Sequence, residues 1–152
     1  MKIDVAEAVR SEGETFTAVF DGPLQEIDFS GDSFSFPEAH VEARYRFDGE
    51  GVAVEGSFSA VTEARCSRCL KKFGYPVDFE FCEYYAKQPE PDDGFYQYTS
   101  EIIDLTRMLQ DNVILNLPIR FLCAEGCKGL CASCGADLNA GACGCGGTEK
   151  GI

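Results

Sequence analysis

What most constrains the fold of this chain is its last third, Cys123-Ala-Glu-Gly-Cys127-Lys-Gly-Leu-Cys131-Ala-Ser-Cys134-Gly-Ala-Asp-Leu-Asn-Ala-Gly-Ala-Cys143-Gly-Cys145. Six cysteines fall within twenty-three residues, separated by small residues and almost no bulky apolar side chains, so packing cannot hold the segment together. Metal can. An earlier pair, Cys66-Ser-Arg-Cys69, repeats the Cys-x-x-Cys spacing, which raises the grouped thiols to eight and leaves Cys82 alone in a strand-like run. Two residues between ligands let one tight turn aim both sulfurs at a single tetrahedral ion at about 2.3 Å. The glycine after Cys134 suits the close backbone approach of such a turn.

Eight thiols suffice for two four-sulfur sites, and the spacing predicts one or two structural zinc ions. Cys131, Cys134, Cys143 and Cys145 follow the ligand grammar of a zinc site, a knuckle plus a nearby second pair. Cys66 and Cys69 can complete a second site with Cys123 and Cys127, or can share an ion with Cys131 and Cys134. The Cys143-Gly-Cys145 end is tighter than a usual knuckle, so a site using one of its sulfurs with Cys127 as fourth ligand is a further arrangement. Spacing alone leaves these open. The competing readings are weaker. Cys66 and Cys69 can be plain thiols at a strand end, and Cys82 is expected to pack. Iron–sulfur clusters favour ferredoxin runs with a trailing proline, which are missing. A redox dithiol belongs near a βαβ pattern, although Arg65, Arg68, Lys71 and Lys72 would make a metal-free Cys66/Cys69 pair reactive.

Nine cysteines argue for reduced thiols and metal in a chain that is not exported, and the segment Met1 to Glu7 lacks the apolar region of a signal peptide. No run approaches the roughly 18 apolar residues of a spanning helix, so cytoplasmic residence without membrane attachment is expected. The 152 residues fit one domain, with room for a small appendage, and a core of β-branched and aromatic side chains, 12 Phe and 6 Tyr without Trp. The net charge of -13 opposes nucleic-acid binding, and a zinc ion held by four thiolates adds a local charge of about -2. The charge is uneven, however. Arg65, Arg68, Lys71 and Lys72 form one basic spot with no acid between Glu63 and Asp78, whereas Asp78 to Asp104 is acidic throughout apart from Lys87.

Alternation predicts a short strand at Thr15 to Phe20, ending at Asp21-Gly22-Pro23. A clearer strand sets Val41, Ala43, Tyr45 and Phe47 against His40, Glu42, Arg44 and Arg46. The turn Asp48-Gly49-Glu50-Gly51 then leads into Val52, Val54, Gly56, Phe58 and Ala60 on one face, a hairpin. Alternation resumes at Tyr75, Val77, Phe79 and Phe81, so Cys66 and Cys69 lie in the connection between two antiparallel strands. Lys87 to Gly94 reads as an exposed loop. Asp104 can cap a helix with Leu105, Met108 and Leu109 on its apolar stripe, finishing before Pro118. The expected fold is α+β: a mainly antiparallel sheet, open or barrel-like, with one packed helix and a C-terminal zinc-knuckle tail. The expected division is a sheet-plus-helix domain over 1–118 and a cysteine-rich zinc-binding tail over 119–152.

Catalysis has little to rest on. His40, the one histidine, sits on a polar strand face, no phosphate-cradling loop or nucleophile elbow is present, and four-cysteine zinc sites leave no position for water. An enzyme with a small-molecule substrate is not expected.

Several segments together resemble one family. These are Cys66-x-Arg68-Cys69-Leu70, an aromatic strand ending near Glu83-Tyr84-Tyr85, Ile103-Asp104-Leu105, Leu117-Pro118, Cys127-Lys-Gly-Leu-Cys131-x-x-Cys134-Gly-x-Asp-Leu-Asn139 and Cys143-x-Cys145. Over about residues 40 to 146 the chain resembles the YceD family, whose members are known as large ribosomal RNA subunit accumulation proteins. The resemblance implies a bacterial cytoplasmic, non-enzymatic factor for accumulation or processing of large-subunit ribosomal RNA, with that RNA or its precursor as partner. Many relatives lack the tail cysteines, so zinc here replaces a core rather than serving the shared activity. If RNA is touched directly, Arg65, Arg68, Lys71 and Lys72 are the expected contacts, since arginine forks pair phosphates and stack on unpaired bases. The rival is that these charges merely balance thiolates and acids. The alternative function is an acidic protein-binding adaptor that receives a ribosomal protein and affects RNA only indirectly.

Overall fold

The structure, a computed structural model, describes residues 1–145 and resolves into two compact units. The first comprises Met1–Thr62 and Pro76–Leu117, and the second Glu63–Tyr75 and the chain from Pro118 onward.

The first unit is organised by long strands. β1 (Lys2–Asp4) leads into a five-residue helix α1 (Ala6–Arg10), then come β2 (Thr15–Phe29), β3 (Asp32–Phe47), β4 (Gly51–Arg65) and β5 (Lys72–Ala86). Short strands β6 (Tyr96–Gln97) and β7 (Ile102–Asp104) precede helix α2 (Thr106–Asn116). β2 to β6 form one sheet in sequence order, with β2 and β6 at its edges, and β1 pairs separately with β7 through Ile3 and Ile103.

The expected hairpin is present. β3 and β4 pair antiparallel from Phe47↔Val52 to Ala39↔Ala60, so Val41, Ala43, Val52, Val54 and Phe58 bury one face while Glu42, Arg44 and Glu55 stay wet. Asp48 closes the turn by accepting the Glu50 and Gly51 N–H groups at 3.0 Å each and the Tyr84 hydroxyl at 2.9 Å. The Gly51 amide in particular holds its carboxyl below the usual range, against the opposing effect of burial. Gly56 is needed for close approach: a Cβ there would stand 1.9 Å from the Glu42 carbonyl oxygen.

Other expectations require correction. β2 does not stop at Asp21-Gly22-Pro23 but continues to Phe29, with register shifts between Gly22 and Leu24 and between Leu24 and Ile27. Proline is tolerated because β2 is an edge strand with a bulge at that point. The β2–β3 turn is made by Ser30 and Gly31, both at positive φ (55° and 88°), a geometry that matches strand twist in two-residue hairpins. The sheet is mixed rather than mainly antiparallel, because β6 runs parallel to β5 with Tyr85↔Tyr96 and Ala86↔Gln97. A parallel neighbour obliges the chain to double back along its partner, and residues 87–95 suffice only because two residues pair. The Tyr85 and Tyr96 rings stack there, with centroids 5.3 Å apart.

Helix α2 carries the expected stripe: Leu105, Met108, Leu109 and Val113 are fully buried, and the helix contacts β2. Leu105 occupies the N-cap position, while the Asp104 carboxylate accepts the Thr106 N–H at 2.9 Å. Buried Asn112 is satisfied by Glu83 at 2.8 Å and by the Met108 carbonyl at 3.1 Å. The helix ends before Pro118, and α1 is a second helix that the weakly patterned first thirty residues gave no reason to expect. Among the described residues, no helix is long and apolar enough to cross a membrane.

Candidate metal centres

The second unit is built from two turns with the same backbone. In the first, between β4 and β5, Cys66 N–H donates to the Lys71 carbonyl at 2.9 Å and Leu70 N–H to the Cys66 carbonyl at 2.9 Å. In the second, Cys131 N–H donates to the Ala136 carbonyl at 2.8 Å and Gly135 N–H to the Cys131 carbonyl at 2.8 Å. The residue after the second cysteine is left-handed in both, Leu70 at φ 60° and Gly135 at φ 73°. Glycine takes that conformation freely, whereas leucine pays for it in strain.

These turns gather the eight grouped thiols into two sets. Cys66 and Cys69 meet Cys123 and Cys127, and Cys131 and Cys134 meet Cys143 and Cys145; within each set all sulfurs lie within 4.8 Å of one another. In the first set Cys66 Sγ lies 3.8 Å from Cys127 Sγ, and Cys69 Sγ 3.6 Å from Cys123 Sγ. Disulfide bonding would require about 2.05 Å, and all nine cysteines are free. A tetrahedron with metal–sulfur bonds near 2.3 Å has edges of about 3.8 Å, so the first set has the dimensions and donor chemistry for a thiophilic ion. The two sets can hold metal ions.

Their environments differ. Cys66, Cys69 and Cys127 are buried, with Phe73, Leu122 and Leu130 packed against them. Tyr75 meets Phe121 edge-on at 5.0 Å nearby. In the other set Cys134 and Cys145 are exposed. Backbone amides poise one thiol of each set for ionisation. The Cys69 and Cys123 N–H groups pull Cys66 down to about 6, and those of Cys134 and Ser133 pull Cys131 down to about 6. Sharing with Cys69 pushes Cys123 up to about 12, and sharing with Cys134 pushes Cys145 up to about 11. A cation that takes all four sulfurs of a set therefore releases protons.

Of the four basic residues singled out from the sequence, two have protein partners. Arg68 folds back on the Cys123–Cys127 loop, donating from Nη1 to the Cys127 carbonyl at 2.8 Å and the Glu125 carbonyl at 3.4 Å. Its own carbonyl accepts the Leu130 N–H at 3.3 Å, and a Cβ at Gly129 would stand 3.0 Å from that oxygen. Lys72 pairs with Glu63 at 2.6 Å, both exposed. Arg65 and Lys71 are exposed and have no side-chain partner among the described residues. Cys82 is exposed rather than packed, because it falls on the wet side of β5 beside buried Phe81. His40 bonds Asp21 at 2.6 Å and Glu42 at 3.3 Å, and these partners raise its pKa above 6.5.

Sequence reasoning assigned no role to Asn139. It donates from Nδ2 to Cys127 Sγ at 3.4 Å and accepts the Lys128 N–H at 2.8 Å. Its place in the Cys134-Gly-x-Asp-Leu-Asn139 segment, four residues after the knuckle glycine, was the signal available.

Comparison with known proteins gives a consistent result. The sequence model of the family described as Large ribosomal RNA subunit accumulation protein YceD matches residues 54–150, a span containing all eight grouped cysteines. An uncharacterized protein of Mycobacterium bovis is 32% identical over 104 residues, covering 64% of this chain and 50% of that protein. One of Mycobacterium leprae is 30% identical over 105 residues, covering 65% and 48%. The protein named Large ribosomal RNA subunit accumulation protein YCED homolog 1, chloroplastic, of Arabidopsis thaliana is 44% identical over 48 residues, 32% of this chain and 15% of that one. The chain thus spans about half the length of the mycobacterial relatives it matches. No solved structure matches it.

Proposed function

The chain belongs to the YceD family, and from that premise we propose that it is a non-enzymatic, cytoplasmic factor for accumulation or processing of large-subunit ribosomal RNA. In this reading each four-cysteine set holds a structural zinc ion, and the second unit touches the RNA or its precursor. Four thiolates close the coordination shell, so the metal supplies shape and no reaction.

The observation that carries the RNA reading is how charge sorts between the units. The first has 22 Asp and Glu against 6 Lys and Arg, whereas the second has 4 against 7. The thiolates of the Cys66 set are mostly buried, while Arg65, Lys71, Arg120 and Lys128 are exposed. Two four-thiolate zinc sites, at about -2 each, offset the second unit's excess of cations, so a phosphate chain is repelled by the first unit and finds its most favourable surface at the exposed cations of the second. Arg65 and Lys71 carry the contact, with Lys72 shared with Glu63 and Arg68 holding the fold. Crosslinking and sequencing of bound RNA in cells tests this: Arg65→Ala with Lys71→Ala should abolish crosslinks to large-subunit RNA, and unchanged crosslinks would refute it.

A second reading is favoured by the acidic unit. A groove of about 640 Å³ crosses β2 to β5 and is lined by Glu42, Glu55 and Glu80, with Arg44 paired to Glu55 at 3.0 Å. In that reading a basic ribosomal protein binds the first unit and RNA effects are indirect. Charge reversal at Glu42 and Glu80 should then release a bound protein while sparing RNA crosslinks, the opposite of the Arg65/Lys71 result.

A further inference from the structure

We infer that Asn139 is a positioning residue that ties the two four-cysteine sets to each other, an inference that rests on the metal reading above. Only Lys128, Gly129 and Leu130 separate Cys127, the last ligand of one set, from Cys131, the first ligand of the other. The second knuckle closes a small hairpin on this link: Leu130 pairs with Asp137, and Leu138 N–H donates to the Gly129 carbonyl at 2.9 Å. The returning arm delivers Asn139 beside Cys127.

Four hydrogen bonds then fix Asn139, three through its side-chain amide and one through its backbone N–H. Its Oδ1 accepts the Lys128 N–H at 2.8 Å, its Nδ2 donates to Asp137 Oδ1 at 2.7 Å and to Cys127 Sγ at 3.4 Å, and its backbone N–H donates to Asp137 Oδ1 at 2.9 Å. The orientation is forced, because Lys128 offers only a donor, and Asp137 and a thiolate offer only acceptors. A donor on sulfur disperses thiolate charge, which matters where four thiolates share one dication. Asn139 is exposed, so solvation does not account for its being held at four points. Through it, the hairpin that presents Cys131 and Cys134 also steadies Cys127.

The test uses the full chain loaded with zinc and, in parallel, with cadmium-113. Two cadmium resonances are expected, and Cys66→Ser identifies the one belonging to the set with Cys127. Asn139→Ala should shift that resonance, leave the other in place, and speed zinc transfer to a chelator roughly tenfold from that set. Asn139→Asp keeps an acceptor for the Lys128 N–H but loses the donor to sulfur, so it should behave like Ala. If Asp restores the wild-type rate and resonance, or if Ala changes neither, Asn139 does not act on the sulfur and the inference fails alone. A wild-type chain that takes up no cadmium or zinc overturns the metal reading, and this inference with it.

Discussion

Arg68 separates a residue that builds the second unit from one that serves a partner. Its guanidinium makes one good bond, 2.8 Å to the half-buried Cys127 carbonyl, and one long exposed bond of 3.4 Å to Glu125 that contributes little. A hydrogen bond from a charged group is worth about 1.5 to 3 kcal/mol, and partial exposure places this one near the lower end, about 1.5 kcal/mol. That corresponds to roughly a tenfold rise in local opening of the Cys123–Cys127 loop in Arg68→Ala. Alkylation of Cys123 and Cys127 in the metal-loaded protein, followed by mass spectrometry, reads that opening directly. Arg68→Lys should rescue poorly, since an ammonium lacks the planar fork and its reach. The reasoning is refuted if Arg68→Ala alkylates at the wild-type rate yet loses RNA crosslinks, which would make Arg68 a contact residue.

Two further outcomes follow from the surface charges. Removing Arg65 and Lys71 should flatten the log-affinity versus log-salt slope for single-stranded RNA by about 1.4, measured by filter binding; an unchanged slope would place the phosphates elsewhere. His40 should titrate above 6.5 in an NMR pH series, and Asp21→Asn should bring it back down, because the Asp21 bond is the main cause of the rise. A raised value means that the pair's contribution to stability is complete below the unfolded pKa and disappears as pH climbs through the folded one. A wild-type midpoint at or below 6.5 would contradict the pairing.

What the sequence made legible was whatever had a local period. The β3–β4 hairpin alternates in burial, and the Leu105, Met108 and Leu109 stripe repeats at helical spacing, so both were readable. So was the placement of Cys66 and Cys69 between two strands. β2 was cut short because Gly22-Pro23 signals a turn, and only an edge position with a bulge lets a strand pass through it. The parallel β6 has two residues and no pattern to read. Assembly of the thiols into two sets depends on backbone pairing of residues far apart in sequence, Ser67 N–H to the Phe121 carbonyl at 2.8 Å among them, and no spacing rule contains it. The roles of Arg68 and Asn139 were hidden for the same reason: each spends its polar atoms on carbonyls, amides and sulfur that only the folded turns bring near.

The account depends on metal ions, rather than an oily interior, giving the second unit its form. The direct measurement is native mass spectrometry of freshly reduced protein combined with X-ray absorption at the zinc edge. Two zinc ions per chain, each with four sulfur neighbours at about 2.3 Å, are expected. A metal-free mass from a protein whose residues 118–145 give the same dispersed NMR spectrum before and after chelation would contradict it.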